Sequence, residues 1–476
     1  MKKHGLLKTL GILLLLLVIV SFILPGRQDT VAYTGLADIF INYFGIVLQN
    51  FCYIVLFILV VGGFYGLLNK TPSYKKLLDS IVTKVKPLGK KFIFVIIILF
   101  AVIASLTGMS LELIVFVPFV ASIILLLGYD KLVALSSTIV SIMIGYIGGV
   151  FVNFVNPNTY AVSTYESFVG TDSSLANTFP KLLLLFAGIA LLIYFVNKHI
   201  KAVEEKKVKY ELNDNSELLI NEVKGNYKDI KTWPLIVILS FVLVILIIGM
   251  IPWSSLFEIE LFNNIHTWIT GLSIKDFNIF PNIISSSLPA LGDWNLNGNP
   301  WYHYIIINLL LLFASLIIAL VNKVKVDEYI DSFVEGFKKA LPAAILASIA
   351  YTVLVCAYNN GFLEKIISNY GTFNYGVSSL LAFLGCLLNV DISYIIAGCF
   401  SPLVGLITDE TIYESVAILL QGIYGVFSIV GPTSIILIFG LSYLDVPYTT
   451  WLKYIWRFIL ALVILVALVT LLVVLL

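Results

Sequence analysis

Two carboxylates stand inside stretches that are otherwise almost free of charge. Glu112 closes the elbow Thr107-Gly108-Met109-Ser110-Leu111-Glu112 between the apolar arms Phe92–Leu106 and Leu113–Leu127. Asp391 lies in the elbow Asn389-Val390-Asp391-Ile392-Ser393, within residues 377–406. A charge at membrane depth is costly, so each is a candidate to hold an ion, a proton or a substrate, with Ser110, Asn389 and Ser393 as polar neighbours. Each elbow is followed by an apolar segment interrupted by proline among small polar residues: Asn156-Pro157-Asn158-Thr159 after the first, Gly431-Pro432-Thr433-Ser434 after the second. The approaches match as well, Gly149-Val150-Phe151 before Pro157 and Gly425-Val426-Phe427 before Pro432. Proline removes an amide donor and stops regular continuation of a helix. The freed backbone groups must then be satisfied by neighbours or turned toward a ligand. Broken hydrophobic segments at corresponding places in two halves point to the substrate site of a transporter. Half-helix N-termini suit anionic groups, and C-terminal carbonyls suit a hard cation. The coupling ion such a site takes is sodium, near Asn156, Thr159 and Thr433, or a proton on a carboxylate. Asn153, Gln421, Tyr424 and Ser428 can do polar work beside the breaks, and no lysine or arginine falls near these elements.

These residues need a membrane scaffold, and composition supplies one. Hydrophobic residues make up 60% of the 476 and charged residues 12%. Ile12–Leu24, Leu235–Ile251 and Phe458–Leu476 carry no charge at all. Spans are expected at about 6–25, 45–68, 131–160 (broken), 179–197, 233–252, 303–322, 341–358, 414–444 (broken) and 453–476. The first is read as a retained span, because it lacks a small-residue exit and ends in Leu24-Pro25-Gly26-Arg27. Residues 92–127 and 377–406 form short-armed hairpins. Arms of about 15 residues reach roughly 22 Å, against a hydrocarbon core of about 30 Å, so the hairpins are expected to re-enter the side they came from. Such elements survive only where protein or water surrounds their polar tips.

Basic residues set the direction. With the N-terminus inside, 25 of the 29 Lys and Arg fall on the cytoplasmic face, leaving Arg27, Lys181, Lys275 and Lys365 outside. The hairpins then open to opposite sides, and the halves are inverted-topology repeats. The expected organisation is an N-terminal half (1–197), a cytoplasmic linker rich in Lys and Glu (198–232) and a C-terminal half (233–476). Residues 253–302 form an outer segment whose amphipathic stretches suit the membrane interface.

Several functions are excluded. The net charge of +1 says nothing about nucleic acid, and the distribution of charge implies no nucleic-acid partner; no nucleotide-binding or catalytic signature occurs. The four cysteines sit in apolar stretches without metal or redox spacing and read as small buried hydrophobes. His4, His199, His266 and His303 fall mostly at segment ends or in loops. No cofactor is implied. What fits is a secondary active transporter in the plasma membrane, taking a small organic anion or amino acid and driven by ions or by exchange. A channel is the alternative, but it needs a continuous polar path that the apolar flanks of the hairpins oppose.

The elbow Thr107-Gly108-Met109-Ser110, the break Val155-Asn156-Pro157, the segment from Phe333-Val334-Glu335-Gly336-Phe337 to Asn360-Gly361-Phe362-Leu363, Pro432-Thr433-Ser434 and the late run Val446-Pro447-Tyr448-Thr449-Thr450-Trp451-Leu452-Lys453 resemble YfcC-type permeases. Those belong with the anaerobic C4-dicarboxylate carriers, in the wider ion transporter superfamily. The similarity covers nearly the whole chain. It implies inverted repeats, re-entrant hairpins, a scaffold that often forms homodimers, and elevator-like movement of a transport domain. The Ser-Asn-Thr signature of sodium–dicarboxylate symporters is missing from both elbows, so their ion sites do not carry over. Family members are linked to dicarboxylates, short carboxylates, amino acids and peptides.

Overall fold

The computed structural model describes residues 5–23, 33–149, 175–205, 207, 230–251, 253–254, 258–275, 277–279, 290–292, 294, 302–388 and 391–475. Of the candidate residues named above, Asn153, Asn156, Pro157, Asn158, Thr159 and Asn389 lie outside the described residues, as does the side chain of Ser393. The principal helices are α1 (Gly5–Ile23), α2 (Cys52–Lys70), α3 (Lys90–Thr107), α4 (Val117–Leu126), α5 (Lys131–Ile147), α6 (Leu175–Glu204) and α7 (Trp233–Met250) in the first part of the chain. They continue as α8 (Tyr302–Val321), α9 (Val326–Asn360), α10 (Tyr375–Leu388), α11 (392–404), α12 (Tyr413–Val430), α13 (Ile435–Tyr443) and α14 (Tyr448–Leu475). Strand is confined, among the described residues, to the two-residue pair Ser273–Ile274 and Phe277–Asn278 in the outer segment.

The protein is an all-α polytopic membrane protein. Nine helices among the described residues are long and apolar enough to cross a bilayer. Their outward faces agree with lipid contact: α7 exposes Ile236, Val237, Phe241 and Val244, and α14 exposes Leu460, Ile464, Leu468 and Leu471. In water such stripes would be a large unfavourable surface.

The helices gather into two groups. α2 and α9 make the most extensive contact in the molecule, and α1, α7 and α8 join them. The second group is α3, α5, α6, α10, α12 and α14, with α13 lying against α9 between the groups. The α2–α9 contact is dictated by small residues. A Cβ on Gly336 would lie 2.1 Å from the Gly62 carbonyl oxygen, and one on Gly66 would lie 2.3 Å from the Ser332 carbonyl oxygen. Only glycine lets these two backbones come so close, the small-residue packing that membrane helices use in place of a hydrophobic drive.

Two spans differ from the sequence reading. α9 runs for 35 residues and not for 18, because Val326–Lys339 continues the helix out of the apolar segment as an amphipathic extension. The first arm, α3, reaches 18 residues and is long enough by itself to cross, so its length no longer argues for re-entry. Lys181, expected at the outer face, lies inside α6 and is 2% exposed, which makes it a buried cation with a partner of its own.

Candidate functional site

The first elbow is built by its own polar residues. α3 ends at Gly108, which takes a left-handed conformation (φ 69°) and returns its N–H to the Ala104 carbonyl at 2.8 Å. The Thr107 hydroxyl accepts the Met109 N–H, and Leu111–Val115 makes a tight helical turn. Glu112 folds back inside this turn, so that its Oε2 accepts the Ser110 N–H at 2.9 Å.

Glu112 is 5% exposed, and the protein supplies three partners to its two carboxylate oxygens. Its Oε1 lies 2.8 Å from His303 Nε2 and accepts from the Tyr304 hydroxyl, also at 2.8 Å. Both partners open α8, and both are buried. His303 and Tyr304 therefore belong to the site, although His303 read as a segment-end residue in the sequence. A rule that a buried charge must be paired could have raised it, since few groups in the apolar stretches can donate to a carboxylate.

The second elbow delivers Asp391 to the N-terminus of α11, where Ile395 donates its N–H to the Asp391 backbone carbonyl at 3.0 Å. A carboxylate is favoured at that end of a helix dipole. The break after α12 is a tight turn: Gly431 and Pro432 are buried, the Gly431 N–H reaches back to Phe427, and α13 starts after Ser434.

The carbonyls freed at this break are accounted for. Ser428 O accepts from the Ser434 hydroxyl at 2.7 Å, Ile429 O from Trp451 Nε1 at 2.9 Å and Val430 O from the Tyr448 hydroxyl at 2.6 Å. The end of α5 is treated the same way. Gln421 Nε2 donates to Tyr146 O and Ile147 O at 2.9 and 2.8 Å, and the Ser105 hydroxyl to Gly148 O at 2.8 Å. Side chains from other helices thus stabilise both places where regular helix stops. Thr433 adds a link to the second hairpin, its hydroxyl donating to Leu387 O at 3.1 Å.

These parts meet around one cavity that is open at its mouth. Ser110 and Glu112 line it from the first elbow, Asp391 from the second, and Thr433 and Ser434 from the break. Tyr146, Tyr424 and Ser428 contribute from α5 and α12, while His303, Tyr304 and Tyr351 face them from α8 and α9. Of the expected residues that are described, Gly431 and Pro432 shape the turn and Gln421 caps the end of α5 without lining the cavity, while Ser110, Glu112, Asp391, Tyr424, Ser428, Thr433 and Ser434 share it. No lysine or arginine lines it among the described residues. No cluster of three or more His, Cys, Asp or Glu suited to a metal occurs among them either.

A cavity walled by two helix groups, polar on an apolar frame, suits solute passage. The match to a family of known proteins agrees. The model of the family described as C4-dicarboxylate anaerobic carrier (DcuC) matches residues 5–475. An uncharacterized protein of Haemophilus influenzae is 22% identical over 418 residues, which are 84% of this chain and 71% of that one. The YdaH transporter of Alcanivorax borkumensis, whose crystal structure was described as having an unusual topology, aligns over 98% of both chains with 15% identity and a TM-score of 0.40. With the family match running almost from end to end, the chain belongs to the C4-dicarboxylate anaerobic carrier family and is a multi-pass membrane carrier, not an enzyme.

Proposed function

We propose that the chain is a secondary active transporter of a small organic anion or amino acid, in which one helix group slides against the other in the manner of an elevator. The observation that carries this reading is the cavity between the groups, where both elbows and the α12–α13 break converge. In this reading the halves are inverted repeats, the α2–α9 pair belongs to a fixed scaffold that forms a homodimer, and α3, α5, α10 and α12 carry the substrate. The excess of basic residues on one side favours a cytoplasmic N-terminus in the plasma membrane.

Charge narrows the cargo. Two carboxylates line the cavity, with no lysine or arginine beside them among the described residues. Glu112 and Asp391 are the groups suited to a substrate ammonium or a coupling cation, and Asp391 brings its charge to the cavity from the second elbow. The first turn of α13, whose Ile435 and Ile436 line the cavity, offers N–H groups to a carboxylate. An amino acid matches both ends. A four-carbon dicarboxylate, the cargo in the family's description, would add two negative charges to two already there, and would have to enter with sodium or protons.

Proteoliposomes should be given labelled amino acids, short carboxylates and C4-dicarboxylates, each with and without sodium and pH gradients. The reading expects saturable uptake of at least one amino acid, or of a carboxylate only when a cation gradient is imposed. Leakage of every solute in proportion to its concentration would favour a channel and sink the proposal.

A further inference from the structure

Contacts are made across the cavity at both elbows. At the second hairpin the Tyr394 ring packs on Phe51 at 5.6 Å and on Tyr358 at 5.0 Å between centroids, and its hydroxyl bonds with Asn50. At the first elbow the contact is to a buried charge. His303 and Tyr304 from α8 grip the Glu112 carboxylate, and Tyr65 from α2 donates its hydroxyl to Val115 O at 2.6 Å. A buried carboxylate cannot leave two donors without a replacement, since an unpaired buried charge is strongly unfavourable.

We propose that His303, Tyr304 and Tyr65 form a latch that pins the first elbow to the scaffold and must open in every transport cycle. The inference rests on the sliding movement proposed above. His303 and Tyr304 act through Glu112 as positioning residues, holding the resting conformation without needing to touch the substrate. Tyr304 is well placed for the role, since its ring also packs on Phe57 and on His303 and keeps its place if only the hydroxyl is lost.

The test is a distance that needs no substrate. Spin labels at Lys91→Cys, at the start of α3, and Lys325→Cys, between α8 and α9, sit on exposed positions of the two groups in a background with the native cysteines replaced. The parent protein should show one dominant distance. Tyr304→Phe should raise the ratio of a second distance by about tenfold, the size of one charge-assisted hydrogen bond in an equilibrium. His303→Gln, which keeps an N–H donor, should raise it less than His303→Ala. If Tyr304→Phe and Glu112→Gln, both monodisperse in detergent, give the parent's distribution, the latch is wrong. Failure of the carrier reading would appear separately, as an absence of saturable flux in the parent, and would leave the distance measurement able to judge the latch.

Discussion

His303 Nε2 lies 2.8 Å from Glu112 Oε1, joining the start of α8 to an elbow 191 positions earlier in the chain. Both groups are buried, and Tyr304 and the Ser110 N–H complete the set of donors around the carboxylate. Removing one partner of such an arrangement leaves the others unsatisfied, at a cost of about 3–5 kcal/mol. Glu112→Ala is therefore expected to lower the melting temperature of the detergent-purified protein clearly more than Glu112→Gln, which keeps the shape and one acceptor. Thermal unfolding followed by intrinsic fluorescence checks this. Equal melting of both variants and the parent would mean that Glu112 is not held as described.

Asp391 faces the cavity from the N-terminus of α11. Asparagine caps a helix about as well as aspartate, so Asp391→Asn removes charge while sparing the local fold. The expected effect is a KM at least tenfold higher for an ammonium-bearing substrate, with expression and gel-filtration profile retained. A KM equal to the parent's would take Asp391 out of recognition.

Thr433 ties the α12–α13 break to the end of α10 through the Leu387 carbonyl. Thr433→Ala should cut the initial rate of uptake about tenfold, in line with the loss of a bond that fixes the geometry of a site, and Thr433→Ser should restore most of it. Asn156→Ala, beside Pro157 in the sequence, should also cut uptake. Normal kinetics in Thr433→Ala and Asn156→Ala would make the breaks purely mechanical.

The direction of the two hairpins is open to chemical labelling. Tyr129→Cys, after the first hairpin, should react with a membrane-impermeant maleimide only from the cytoplasmic side, and Asp409→Cys, after the second, only from outside. Reaction of both from the same side would refute the inverted-repeat arrangement.

Much of the scaffold was legible because membrane helices announce themselves by length and apolarity. α7, α8 and α14 fall within a few residues of the expected spans at 233–252, 303–322 and 453–476. The 35-residue α9 was not legible over its full length, since its first half is amphipathic and lacks the hydropathy that marks a span. For the site, the elbows and the second break could be read, because a lone carboxylate or a proline among small polar residues stands out against apolar sequence. His303 and Tyr304 could not, since their role depends on which helix the first elbow meets. Gln421 was read as a polar residue beside a break, but the capping of freed carbonyls by Trp451 and Tyr448 was hidden, because these side chains belong to the next helix and acquire their task only through packing.

Counterflow separates a carrier from a channel. Proteoliposomes loaded with a high concentration of an unlabelled amino acid are diluted into a trace of the labelled compound, and accumulation is followed over time. An alternating carrier brings the site back occupied, so the account predicts a transient accumulation of label above equilibrium, strongly reduced in Asp391→Asn. Entry of label that never exceeds equilibrium and is indifferent to the internal solute, for every amino acid and carboxylate tried, would contradict it.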